Sequence, residues 1–84
     1  MPGTLTGFVY KYISSKKVAV INENVEIRKD GNLIATLQTG WGASAGMFSI
    51  SNLTPGSYTV TILGTTKTVK ISPAGTANLN IRLY

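Results

Sequence analysis

Polar and apolar side chains alternate most cleanly between Gly46 and Ile62. Phe48 and Ile50 point one way, Ser49 and Ser51 the other. Beyond Pro55-Gly56 the alternation resumes, with Tyr58, Val60 and Ile62 on one face and Ser57, Thr59 and Thr61 on the other. A strand flips its side chains at every residue, so this pattern predicts two strands with one buried and one wet face. Proline fixes φ and glycine relaxes it, so Pro55-Gly56 predicts the corner between them.

The same alternation runs through most of the chain. Residues 4–12 predict a first strand, with Leu5, Gly7 and Val9 on one face and Phe8, Tyr10 and Tyr12 on the other. Residues 13–24 are the least regular. Ser14-Ser15-Lys16-Lys17 reads as a turn and residues 18–21 as a candidate short extra strand. Residues 25–29 predict a strand with Val25 and Ile27 inward, followed by Asp30-Gly31, a type I′ hairpin signal. Residues 33–39 predict the next strand, in which the adjacent Leu33 and Ile34 leave the inward face ambiguous. A loop of small residues, 40–46, carries the sole tryptophan, Trp41. Gly64-Thr65 fits a type II′ turn before a strand at 66–72 with Val69 and Ile71 inward. Pro73-Ala74-Gly75 breaks that strand. The last strand, 76–83, carries Ala77, Leu79, Ile81 and Leu83 on one face and Asn78, Asn80 and Arg82 on the other, a side that Tyr84 would continue.

Seven short strands with frequent turn signals predict an all-β fold, a seven-stranded antiparallel Greek-key β-sandwich of immunoglobulin-like type. No stretch holds a 3.6-residue period long enough for a core helix. The alternation predicts a core of Leu5, Val9, Val25, Ile27, Phe48, Ile50, Leu53, Tyr58, Val60, Ile62, Val69, Ile71, Leu79, Ile81 and Leu83. Eighty-four residues, 43% of them apolar, fit one domain spanning 1–84.

Several short segments together resemble the carboxypeptidase regulatory-like, or prealbumin-like, domain family. They are Gly7-Phe8-Val9, Asn24-Val25-Glu26-Ile27, Gly46-Met47-Phe48-Ser49-Ile50, Leu53-Thr54-Pro55-Gly56-Ser57-Tyr58 and the closing Leu79–Leu83 run. The resemblance covers nearly the whole chain. It implies a small sandwich used as a stalk, spacer or docking module on cell-surface proteins, enzymes or virions, without catalysis of its own. The chain departs from the family at residues 39–46, where an acidic Thr-Asp-x-x-Gly turn is common and none is present. No calcium site is inferred there.

Composition removes most chemistry. There is no histidine and no cysteine, so the usual general base and the thiol nucleophile are missing. The only acidic side chains, Glu23, Glu26 and Asp30, sit in one short span. Neither an enzyme nor a protein-built metal site is expected, and no cofactor. Net charge is +5, but Lys11, Lys16, Lys17, Arg28, Lys29, Lys67, Lys70 and Arg82 are scattered along strands, which argues against nucleic acid. No run approaches the ~18 apolar residues of a membrane span. The N-terminus lacks the basic and apolar regions of a signal peptide. That is compatible with a chain used without export, such as a virion component, or with an extracellular domain recloned behind a methionine; localisation stays open. An internal Lys11–Asn78 or Lys11–Asn80 isopeptide bond, of the kind related adhesin sandwiches form, would need a buried carboxyl that the strands after Asp30 do not supply. The Asn52-Leu53-Thr54 sequon is disfavoured by Pro55. Tyr58 reads as a corner tyrosine bonded to nearby backbone, and Gly7 as room for close packing.

What remains is aromatic. Phe8, Tyr10 and Tyr12 form an outward stripe and Trp41 stands in a loop; with Lys11 and Lys16 they are the candidate partner-binding residues. The competing structural readings are that residues 13–24 fold over the stripe and that Trp41 caps the sandwich end. Three functions stay open. The first is an interaction module docked on a larger assembly such as a virion or cell-surface array, binding a protein partner or its own copies. The second is a carbohydrate-binding module, and the third an excised regulatory or spacer domain of a larger protein.

Overall fold

The computed structural model describes residues 2–83. Strands run at β1 Gly3–Ile13, β2 Lys16–Ala19, β3 Asn24–Lys29, β4 Asn32–Gln38, β5 Met47–Leu53, β6 Gly56–Ile62, β7 Thr65–Ile71 and β8 Thr76–Leu83. Among the described residues the only helical turn is a short 3₁₀ segment, Gly42–Ser44, between β4 and β5. They form two sheets packed as a sandwich. One is β4-β3-β6-β7; in the other, β1 is flanked by β8 on one edge and by β5 and β2 on the other. The chain crosses between sheets after β2, β4, β5 and β7, the Greek-key wiring that lets both sheets close over one core.

The fold is all-β and immunoglobulin-like, as the alternation predicts, with two amendments. The strands number eight, because the irregular segment 13–24 contains β2. The pairing is not wholly antiparallel: β8 lies parallel to β1, from Thr4 opposite Thr76 to Lys11 opposite Leu83. The reason is topological. β7 ends at Ile71, close to Gly3, so the chain re-enters the first sheet beside the start of β1 and must run alongside it. The Thr4 amide donates to Gly75 O and fixes that entry.

The long strand β1 is the spine of the first sheet. Its edge is shared: β5 covers Gly3–Phe8 and β2 covers Tyr10–Ile13. The handover is at Val9, whose amide donates to Gly46 O and whose carbonyl accepts from Val20. Beyond it the β1–β2 hairpin projects past the core, and Lys11, Tyr12, Ile13, Lys16, Lys17 and Val18 are all exposed. Its turn is Ser14-Ser15 alone, with φ of 52° and 67°, the doubly left-handed geometry of a type I′ turn.

Twelve of the fifteen expected core residues are buried, and Ile50, Val69 and Leu79 are half-buried against them. Those three lie on β5, β7 and β8, strands with one open edge, where the opposing sheet covers less. Val20, in the segment the alternation does not resolve, joins the core. Gly7 faces Phe48 across the β1–β5 ladder, and a Cβ there would overlap the Phe48 ring. The ambiguity at Leu33-Ile34 is a β-bulge: Ile27 pairs with Ala35 and Arg28 with Leu33, so Ile34 is the extra residue and both side chains are exposed. The Asp30-Gly31 turn has the expected type I′ signs, φ 53° and 80°. The turn after β6 does not match expectation. It is Leu63-Gly64, with φ 46° and 79°, and not a type II′ turn at Gly64-Thr65.

Candidate interaction surface

Period-2 alternation along β1 sends Leu5 and Val9 into the core, so Thr6, Phe8, Tyr10 and Tyr12 must line the outer face. The neighbouring strands complete that face by register. Asn78, Asn80 and Arg82 of β8 stand opposite Thr6, Phe8 and Tyr10. Met47 and Ser49 of β5 stand opposite Phe8 and Thr6, and Lys17 of β2 opposite Tyr12.

The stripe is ordered by its own contacts. The Phe8 and Tyr10 rings stack at 5.7 Å and 21°, and Tyr10 meets Tyr12 edge-on at 5.8 Å and 89°. Lys17 Nζ sits 4.4 Å from the Tyr10 ring centroid and 5.3 Å from that of Phe8. Arg82 lies over Tyr12 at 4.7 Å. A cation over an aromatic face is worth about 0.5–1 kcal/mol at an exposed site, enough to bias a long side chain towards one position. At the other end of the face Thr6, Phe8, Met47, Ser49, Asn78 and Asn80 line a shallow groove of about 560 Å³. The Thr6 hydroxyl there bonds Asn78 Oδ1.

Of the residues singled out from sequence, Phe8, Tyr10 and Tyr12 come together as a stripe; of residues 13–24, Lys17 lies over Phe8 and Tyr10, which are half-buried, and Tyr12 is exposed. Trp41 is 70% exposed and does not cap the sandwich. It precedes the 3₁₀ turn, whose Ser44 borders the groove, but makes no ring contact with the stripe among the described residues. Lys11 and Lys16 do not join the stripe. Lys11 pairs with Val18 and Leu83, and Lys16 with Ile13, on the opposite side of the hairpin. The cation beside the stripe is Lys17. A two-residue turn at Ser14-Ser15 dictates this register, and reading four residues as the turn hides it. Tyr84 lies outside the described residues.

The other singled-out features are structural. Tyr58 is 2% exposed and its hydroxyl donates to Thr54 O. Lys29 closes the same corner, donating to Thr54 Oγ1 at 2.8 Å and Pro55 O at 3.3 Å. The buried Thr39 takes the Glu23 amide on its hydroxyl at 3.0 Å and ties two loops. Lys11 and the two asparagines cannot meet: Asn78 and Asn80 lie on the outer face and Lys11 on the other. No group of three or more His, Cys, Asp or Glu capable of holding a metal occurs among the described residues.

No protein-family profile matches the chain, and no curated protein does. Solved structures do match. GBS52, the minor pilin of Streptococcus agalactiae, superposes over 96% of this chain with a TM-score of 0.75 at 18% identity. BcpA, the major pilin subunit of Bacillus cereus, superposes over 95% with a TM-score of 0.67 at 19% identity. The chain spans 43% of the first and 29% of the second. At such identity the likeness is one of fold: this is an immunoglobulin-like β-sandwich of the kind found as a part of larger pilin subunits.

Proposed function

We propose that the chain is a non-enzymatic docking module, a carboxypeptidase regulatory-like sandwich that seats on a larger protein assembly through the outer face of β1. The observation that carries this is the stripe Phe8-Tyr10-Tyr12, ordered by ring contacts and by Lys17 on the outer face of β1, with Phe8 and Tyr10 half-buried and Tyr12 exposed. Rigid aromatic side chains supply contact area at small entropic cost, and they dominate interface energetics. The pilin subunits that share the fold support a surface array as the setting; a virion is the other setting the sequence fits.

The carbohydrate-binding alternative has less support. A sugar needs an open ring face, and the Lys17 ammonium occupies the faces of Phe8 and Tyr10. Trp41 is the most exposed of the described aromatic residues.

Fractionation tests the proposal. Tagged chain expressed in its native host is expected to co-sediment with the surface-array or virion fraction. The Phe8→Ala, Tyr10→Ala, Tyr12→Ala triple variant is expected to stay at the top of the gradient while remaining folded by circular dichroism. Wild-type chain found only at the top would refute docking. A triple variant that still co-sediments would move the interface elsewhere.

A further inference from the structure

Among the described residues the open strand edges are not guarded alike. β2, β5 and β8 have free edges in the first sheet, β4 and β7 in the second. A free edge offers unpaired N–H and C=O groups to any other strand, and charged side chains are the common guard against that. β2 carries Lys16 and Lys17, β7 carries Lys67 and Lys70, and β8 carries Arg82. β5 has no charge, but the Gly40 amide of the preceding loop donates to Met47 O at 2.9 Å, and Asn52 bends its far end through a φ of 62°. β4 has no charged residue and no loop bonded along its free edge. Its bulge at Ile34 disturbs only the start, since residues 35–38 pair with β3 in unbroken register. Leu33 and Ile34, beside that regular stretch, are both exposed.

We infer that β4 pairs antiparallel with β4 of a second copy, about a two-fold axis at Thr36, and so joins two four-stranded sheets into one. This goes beyond the docking proposal and uses the other sheet. In that register Thr36 faces its own copy, and threonine pairs across a ladder are favourable. Ala35 of each copy faces Leu37 of the other. Both pack against the core, so on the inner side a small side chain meets a larger one.

Charge selects the occupant. All three carboxylates, Glu23, Glu26 and Asp30, lie on β3 or in the loops flanking it, together with Arg28 and Lys29. The chain's other lysines and its other arginine lie elsewhere, with no acid among them. Two copies carrying a net charge of +5 repel across most of their surfaces. The β3–β4 side is where positive charge is nearly balanced, and β4 itself brings no charge into the contact. An acidic strand from another protein would find no cation on β4, and neither nucleic acid nor lipid can extend a backbone ladder. The contact is a single short strand pair, smaller than the ~1,200 Å² of a standard stable interface, so the association is weak.

Dilution of isotopically labelled protein from about 1 mM to about 0.05 mM suits an interface of that size. Amide shifts at residues 35–38 should change with concentration, and sedimentation equilibrium should show the mean mass rising towards a dimer. Added salt should strengthen the pairing, because it screens the like net charges. Thr36→Lys sets two lysines face to face and should weaken pairing at least about fivefold while the protein stays folded by circular dichroism. Thr68→Lys, the same charge change on exposed β7, should weaken it far less. An equimolar mixture of Thr36→Lys and Thr36→Glu should associate more tightly than either variant alone, because only the mixed pair sets opposite charges across the axis. Any one of three results overturns the inference: no concentration-dependent shift on β4, equal losses for Thr36→Lys and Thr68→Lys, or a mixture no tighter than its separate components. None of them touches docking, which uses the outer face of β1 and is read by co-sedimentation.

Discussion

Among the described residues a lysine lies over a tyrosine twice, to opposite ends. At the β5–β6 corner Lys29 Nζ lies 5.3 Å from the Tyr58 ring, yet it also donates to Thr54 and Pro55, and Tyr58 itself is buried and bonded to Thr54. The lysine ammonium and the tyrosine hydroxyl are both bonded within the corner. On the outer face of β1 Lys17 sits nearer to Tyr10, at 4.4 Å, but makes no hydrogen bond to any described residue, and the rings below it are half-buried. The same pair of residue types closes a corner in one place and presents a surface in the other. The difference lies in what surrounds the pair. A chain reversal beside Tyr58 brings backbone carbonyls within reach of the lysine, whereas a straight strand pair supplies only neighbouring side chains. A cation–aromatic contact by itself therefore says nothing about function; the count of other bonds does.

The widest separation between the two sites should appear in stability. Tyr58→Ala removes a fully buried ring and its hydrogen bonds, and is expected to cost about 3–5 kcal/mol, enough to threaten a domain of this size. Tyr10→Ala, on the open face, is expected to cost no more than about 1 kcal/mol. Urea melts of both variants decide it. Comparable midpoints would mean the stripe belongs to the core.

Gly7→Ala probes the far side of the same strand. The added methyl has no space beneath the Phe48 ring, so that ring must leave its position. Overpacking of this kind costs about 1–3 kcal/mol. Because Phe8 is the next residue, the ring shift should also reach the groove. A stability unchanged within error would show that Phe48 has room to move.

Smaller and opposite in sign is the effect at Leu63. This leucine holds φ at 46°, a left-handed conformation costly for a bulky side chain, and it is 65% exposed with no buried role to compensate. Leu63→Asn places a residue tolerant of that geometry before Gly64, and is expected to stabilise the protein by about 0.5–1 kcal/mol. A lower melting temperature would mean that Leu63 makes an apolar contact worth more than its backbone strain.

Which parts of this were legible in the sequence follows from how local each signal is. Alternation places Phe48, Tyr58, Val60 and Ile81 in the core because each lies in a strand long enough to display its period. Tyr58 after Pro-Gly announces its corner for the same reason. Residues 13–24 resist reading because β2 spans only Lys16–Ala19 and its turn uses serines at positive φ where glycine or asparagine would signal it. That one turn hides the register that exchanges Lys16 for Lys17. The parallel partner of β1 is equally hidden. Pairing of Phe8 with Asn80 is a long-range consequence of how the sheets stack, and nothing near either residue encodes it.

The finest test exchanges only the lysines. Lys29→Met keeps the aliphatic stem but loses two hydrogen bonds at the corner, and should cost about 1 kcal/mol. In a domain of this size that is a fall in melting temperature of about 4–8 °C. Lys17→Met loses one exposed cation–aromatic contact while the methionine still covers the rings. Its cost should stay within about 0.5 kcal/mol, near the resolution of calorimetry. Its effect should surface in binding, as weaker association with the docking partner. If the two variants melt alike, Lys17 is as structural as Lys29, and the face it covers is a second closed corner. If Lys17→Met melts normally and binding falls, two contacts of one chemistry have been separated by what each leaves exposed.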